Sequence, residues 1–363
     1  MRARTMTLVL APILSAAACG GGGPAADELT PVYVSWYSHN EEGSYWENLV
    51  TDREAYLAYR QDLVDRVSLL HRHGVRLNWE SDHSVLRAML EHEQGDVLDE
   101  TGGKNMLQWM VEDMGMVVDP HGHLTEYNHA DLALLIGRLG VDPSGVVGGF
   151  ALLECGDERG TFDTTDWQAT IGLDQDGLIR GRKFPDASWR PRVLAQPAMR
   201  GHALDEFSAG VWTPDTEGAF TEHRPDAELV HVGQGYPHDV LNLGESNSGG
   251  TKILYREAGY IRELADEIAS GELPAGRIYT ASIHLRDQPR LPGVTSTLEG
   301  VRQTLEALDD LVRDGRVVFA DYEGVAALWR EQFGSEPNRV GIERFSIYPE
   351  LMETVDAYCW GRN

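Results

Sequence analysis

From residue 31 onward the chain alternates short apolar runs with amphipathic helices, and this grammar limits what it can fold into more than any other feature. A strand at Val32–Tyr37 passes through a loop into a helix over about 52–73, whose Tyr56, Leu63, Val67 and Leu70 share one face before Gly74 stops it. A strand at Val75–Trp79 follows, then a helix at Val85–Glu93 capped by Ser81 or Asp82, and a third helix at Asn105–Asp113. The strand Met116–Val118 runs into Asp119-Pro120-His121-Gly122-His123, and Asn128 with Asp131 opens the next helix. A glycine-flanked strand lies between Val146 and Phe150. From Cys155 to about Val230 the sequence turns rich in Asp, Gly and Pro, which reads as an insertion at about 155–228. Within it, Asp174-Gln175-Asp176-Gly177 lacks the further ligands of a calcium loop and reads as a hairpin turn. Regular alternation resumes with Leu229–Val232, a helix at Lys252–Ile268, a strand at Ile278–His284, a helix at Leu298–Val312 behind a Ser296…Glu299 capping box, and a strand at Val317–Ala320.

Seven or so strand–helix units without a Gly-x-Gly-x-x-Gly or Walker loop predict an α/β fold of the parallel-barrel kind. The expectation is one (β/α)7–8 barrel domain over 30–363, regular or distorted, carrying the β- and loop-rich insertion. With 58 acidic residues against 31 Lys and Arg, the formal charge of −27 repels phosphate backbones and anionic headgroups, which argues against a nucleic-acid partner.

The first residues read as a processing segment. Arg2 and Arg4 precede the apolar run Met6–Ala18, which is too short to span a bilayer and ends in small residues before Cys19. Ser15-Ala16-Ala17-Ala18-Cys19 resembles the lipobox of bacterial lipoproteins, although Leu is missing three residues before the cysteine. This predicts a signal peptide at 1–18, lipidation of Cys19, and a flexible tether at 19–29 formed around Gly20–Gly23 and Pro24. The resulting expectation is an exported protein of the cell envelope, held to a membrane by lipid, and in the outer membrane if the organism has one. Lipidation of Cys19 leaves Cys155 and Cys359 as an even pair, either a disulfide or two buried thiols.

In a parallel barrel, functional groups collect where strands end at their C-terminal edge. The first strand ends in Ser38-His39-Asn40-Glu41-Glu42, the second in Glu80-Ser81-Asp82-His83, the third in Asp119, His121 and His123, and a late strand in His284. Imidazoles and carboxylates converging on one mouth suit a divalent cation, zinc above others, with three protein ligands and one open position. His121 and His123, alternating about Gly122, and His39 are the candidate ligands; the alternative is polar loop histidines. Glu42 or Asp82 is the candidate base, and Asp82 reads equally as a helix cap. Trp36, Tyr37 and Tyr127 near the same strand ends are candidates for stacking on a sugar ring, or else part of the core.

The order of elements resembles the glycoside hydrolase/deacetylase (β/α)-barrel superfamily, which includes polysaccharide deacetylases, over roughly residues 30–335. The likeness rests on the polar end of the first strand at His39–Glu42, His121 and His123 after the third, the strand Ile278–His284, and the closing helix with Gly315–Glu323. It implies metal-dependent hydrolysis of a modified glycan, most simply deacetylation, with His284 at the position of the family's general acid. His284 also reads as a packed strand residue. The family's aspartate pair after the first strand is absent here, and H-x-H replaces its H-x-x-x-H. An inactive barrel serving as a glycan-binding or envelope scaffold is therefore the alternative, and a metal-dependent amidohydrolase ranks third because that class carries H-x-H after its first strand.

Overall fold

The computed structural model describes residues 30–40, 44–122, 126–150, 153–154, 167–196, 202–203, 210–233, 250–274, 276–285 and 297–339. Cys19, Glu42, His123, Cys155 and Cys359 lie outside these residues. The strands are β1 (Val32–Asn40), β2 (Leu77–Ser81), β3 (Val117–Pro120), β4 (Val146–Val147), β5 (Leu153–Glu154), β6 (Ile179–Arg180), β7 (Ser188–Trp189), β8 (Val193–Gln196), β9 (His202–Ala203), β10 (Val211–Trp212), β11 (Val230–Gly233), β12 (Tyr279–His284) and β13 (Val317–Phe319). The helices are α1 (Ser44–Thr51), α2 (Arg53–Arg72), α3 (His83–His92), α4 (Met106–Gln108), α5 (His129–Arg138), α6 (Trp167–Ile171), α7 (Gly250–Ser270), α8 (Leu298–Arg313) and α9 (Tyr322–Gln332).

The fold is mixed α/β around parallel strands. One sheet runs β12-β1-β2-β3, with β13 pairing the first residues of β1, and every pairing in it is parallel. A second sheet runs β10-β11-β8-β4, in which β11, β8 and β4 are parallel and β10 is antiparallel. A parallel bridge between His121 and Gly148 joins the edge of the first sheet to the end of β4, where Gly148 N–H donates to Pro120 O at 3.0 Å. At the other edge Thr280 Oγ1 donates to Gly233 O at 3.0 Å, linking β12 to β11.

Alternation along the strands sorts side chains between two cores. Val32, Val34 and Trp36 of β1, Leu77 and Trp79 of β2, Val118 of β3, and Tyr279, Ala281 and Ile283 of β12 pack outward against helices, where they meet Leu63 and Val67 of α2, Leu86 of α3, Ile136 of α5, Ile261 of α7 and Leu305 of α8. Burial of each such side chain contributes about 1.5–3 kcal/mol. On the other face Tyr33 and Tyr37 share a core with Val146, Val193, Ala195, Val230 and Val232 of the second sheet, which Tyr322, Val325 and Trp329 of α9 cover. One face of each sheet therefore contributes to a common core.

Several sequence expectations change. Val193–Gln196, inside the span read as insertion, is a parallel strand between β4 and β11; its apolar stretch is only Val193-Leu194-Ala195, too short to stand out among prolines and glycines. The remainder of that span includes the expected hairpin, with Asp174 O accepting from Gly177 N–H and Leu173 bridging Ile179 antiparallel across the turn. β2 lies two residues later than expected, at Leu77–Ser81. The helix expected at Asn105–Asp113 begins as α4 and widens into a π turn at Trp109–Asp113. Thr297, not Ser296, caps α8, its side chain accepting from Gly300 N–H at 3.0 Å.

Candidate metal centre

β1, β2 and β3 deliver their C-terminal residues side by side: the register pairs His39 with Glu80, and Glu80 with Asp119. Residues directly across parallel strands point to the same face, so His39, Glu80 and Asp119 share the interior face, and His121 follows one pleat further along the third chain segment. Among the described residues, His39, Glu80 and His121 form one cluster whose ligand atoms all lie within 4.8 Å of one another. Their side chains are 2%, 0% and 1% exposed. His39 Nε2 pairs with Glu80 Oε2, which lies 3.5 Å from His121 Nδ1, and the two imidazole rings stack at 4.3 Å between centroids.

Two glycines make this closeness possible. A Cβ at Gly148 would meet the Glu80 carboxylate at 2.9 Å, and one at Gly149 would overlap the His121 ring. Gly149 also has φ +65°, a conformation that side chains rarely adopt.

Burial pushes the Glu80 carboxyl up, but the charge of His39, hydrogen bonds with His121 and His39, and the charge of His121 outweigh it, so the group sits below its ordinary value. Asp119 goes the other way. Burial, then the charges of Glu80, Asp321 and Glu323, raise it well above the usual carboxylate range against the opposing hydrogen bond from Ser144. Two imidazoles and one carboxylate are the donor set of a divalent transition-metal site, and the described cluster fits such an ion.

His284 of β12 lies opposite Tyr37 of β1, and their rings stack at 4.6 Å with 5° between planes. The His284 ring is 5.4 Å from that of His39, so it borders the same centre. Asp82 follows β2 at the N-terminus of α3, and its Oδ1 lies 2.5 Å from His83 Nδ1. His83 Nε2 lies 3.1 Å from Glu47 Oε1. Burial lowers the His83 pKa, but the hydrogen bond and charge of Asp82 and the charge and hydrogen bond of Glu47 more than reverse this, leaving it raised.

Of the aromatic candidates, only Tyr37 faces the centre. Trp36 is fully buried in the outer core, because it lies one residue out of phase with Tyr37 and His39. Tyr127 stacks on His83 at 4.2 Å, with the Lys183 ammonium 5.6 Å from its centroid, so its buried ring serves packing rather than an open stacking surface. Glu80 is the member of this cluster that sequence reasoning did not assign as a ligand. The available signal was its place at the end of the second strand, directly across from His39. No family model matches the chain, and no curated protein matches it significantly.

Proposed function

We propose that this chain is an exported, lipid-anchored, metal-dependent hydrolase that removes acetyl groups from a glycan, with zinc held by His39, Glu80 and His121. The observation that carries the reading is the buried cluster of two imidazoles and a carboxylate at the C-terminal ends of adjacent parallel strands. We further read the strands β1, β2, β3, β4, β8, β11 and β12 as one closed ring of seven. The shared interior core and the links at His121–Gly148 and Thr280–Gly233 support that closure.

A divalent ion bound by this triad supplies polarisation of a carbonyl oxygen and a lowered pKa for water. The chain's own groups do the rest. Glu80 supplies the anionic ligand beside the two imidazoles. Asp82, one pleat beyond Glu80 on the same side of the chain, accepts the proton of the attacking water, with Glu42 as the other candidate base. His284, fixed by the Tyr37 stack, gives a proton to the departing oxygen or nitrogen. A chain of strongly negative charge favours neutral or cationic glycans over acidic ones.

Metal content measured by emission spectrometry before and after chelation, together with acetate release from acetylated glycans, tests the reading. Stoichiometric metal and chelator-sensitive acetate release are expected. Metal-free protein without acetate release overturns it in favour of a glycan-binding scaffold.

A further inference from the structure

Six described helices begin with a side chain that accepts a backbone hydrogen bond, and one of them is unlike the rest. Asp52, Asn105, Asn128, Thr297 and Asp321 each accept from the amide three residues ahead, the ordinary capping geometry. Asp82 does not. Its Oδ1 accepts instead from the amide of His83 and faces His83 Nδ1 at 2.5 Å, which leaves the amides of the first turn without this cap. The carboxylate is nevertheless 3% exposed, and Oδ2 has no hydrogen-bond partner among the described residues. A buried carboxylate oxygen with no partner is costly, so its retention calls for a use.

The surroundings indicate which use. Asp82 is extended (φ −77°, ψ 173°) and its N–H donates to Asn40 O at 3.0 Å, so the strand geometry of β2 continues through it. Two residues past Glu80 on an extended chain, its side chain lies on the side that carries Glu80. His83 is held from behind: Nε2 meets Glu47, whose Oε1 also accepts from Ser84 Oγ at 3.0 Å, and Tyr127 stacks on the ring. The imidazole is thus clamped by α1, by its own helix and by Tyr127, with only Nδ1 turned to Asp82.

We propose that His83 is a positioning residue for the reaction: by donating from Nδ1 to Oδ1, it withdraws Asp82 from helix capping and holds Oδ2 toward the mouth where His39, Glu80 and His121 meet. This rests on the hydrolase reading above and adds to it the group that orients the base. Glu47 and Tyr127 act one step further out, by fixing the ring.

The test uses the full-length, metal-loaded protein with p-nitrophenyl acetate as probe. In His83→Asn the side-chain amide nitrogen takes the place of Nδ1, and in His83→Gln it takes the place of Nε2. Asn therefore keeps the donor to Asp82, and Gln keeps only the link to Glu47. His83→Gln should lose about 10–100-fold in kcat, the usual cost of removing an orienting partner, with KM and metal content unchanged. His83→Asn should stay within about threefold of the wild type, since its donor survives. Asp82→Asn should lose kcat, and adding His83→Gln to it should cost little more, because the two act as one unit. Equal activities in the Asn and Gln variants, or additive losses in the double variant, overturn the inference while leaving the hydrolase reading intact. A wild type without metal-dependent turnover of the probe overturns both.

Discussion

The His121 ring occupies the space where a Cβ on Gly149 would be, so position 149 admits only glycine as long as the imidazole keeps its place in the metal cluster. Gly149→Ala combines this overlap with a positive φ. Overpacking alone costs about 1–3 kcal/mol, and the backbone conformation adds to it. Urea unfolding should show that loss, and metal content should fall with it because the ring must move. A variant with wild-type stability and metal would show that the ring lies elsewhere. Gly148→Ala, with ordinary backbone, presses first on the Glu80 side chain and should weaken metal binding more than it weakens the fold.

Removal of any one of the three ligands should abolish stoichiometric metal. Glu80→Gln keeps the shape and removes the charge; His39→Ala and His121→Ala each remove a nitrogen donor. Dialysed variants measured by emission spectrometry decide it. His123→Ala serves as the comparison: full metal in that variant assigns all protein ligands to the three described residues, whereas loss adds His123 as a fourth.

The Asp82–His83–Glu47 contact should leave a signature in the pH dependence of stability. The folded-state pKa of His83 is raised, so its contribution is fully present below the ordinary histidine value of about 6.5 and is lost as pH rises through the folded value. The groups facing the ring are Asp82 and Glu47, with Tyr127 stacked on it and Arg87 within 4.0 Å of Glu47. The difference in Tm between wild type and His83→Gln should therefore be larger at pH 6 than at pH 9. A difference that grows with pH would contradict this sign.

Away from the centre, Arg60 of α2 is buried between Glu93, at 3.0 Å, Glu100, at 2.6 Å, and the Thr101 hydroxyl, at 2.9 Å. Arg60→Ala leaves the Glu93 carboxylate, whose side chain is 1% exposed, without its cation and with the Tyr56 hydroxyl still donating to it, and should cost about 3 kcal/mol in denaturant unfolding. Combining it with Glu93→Gln should recover part of that loss, because the buried charge is then gone. Additive losses would show that the pair is not coupled.

Anchoring is tested by Cys19→Ser. The variant should appear in the soluble fraction or remain unprocessed, while the wild type fractionates with membranes and takes up labelled fatty acid. Identical fractionation and processing of the two would remove lipidation from the proposal.

Much of this protein was legible in its sequence. The spacing of Leu63, Val67 and Leu70 gives α2 because a helix repeats every 3.6 residues, and the mixed α/β class follows from such helices alternating with apolar runs like Val32–Tyr37. His39, His121, Asp82 and His284 were legible as strand-end groups for the same reason, since each stands where an apolar period stops. These are local properties, written in neighbouring residues. Tertiary structure alone decided which of these groups meet. Trp36 and Tyr37 differ by one residue, yet one packs among helices and the other faces the ring of His39, because strand phase is set by what each face buries. Glu80 joined His39 and His121 through the register of β1 on β2, and Val193–Gln196 became a strand through the edges offered by β4 and β11. Register depends on hydrogen bonds and packing between residues far apart in the chain, and no local pattern carries that information.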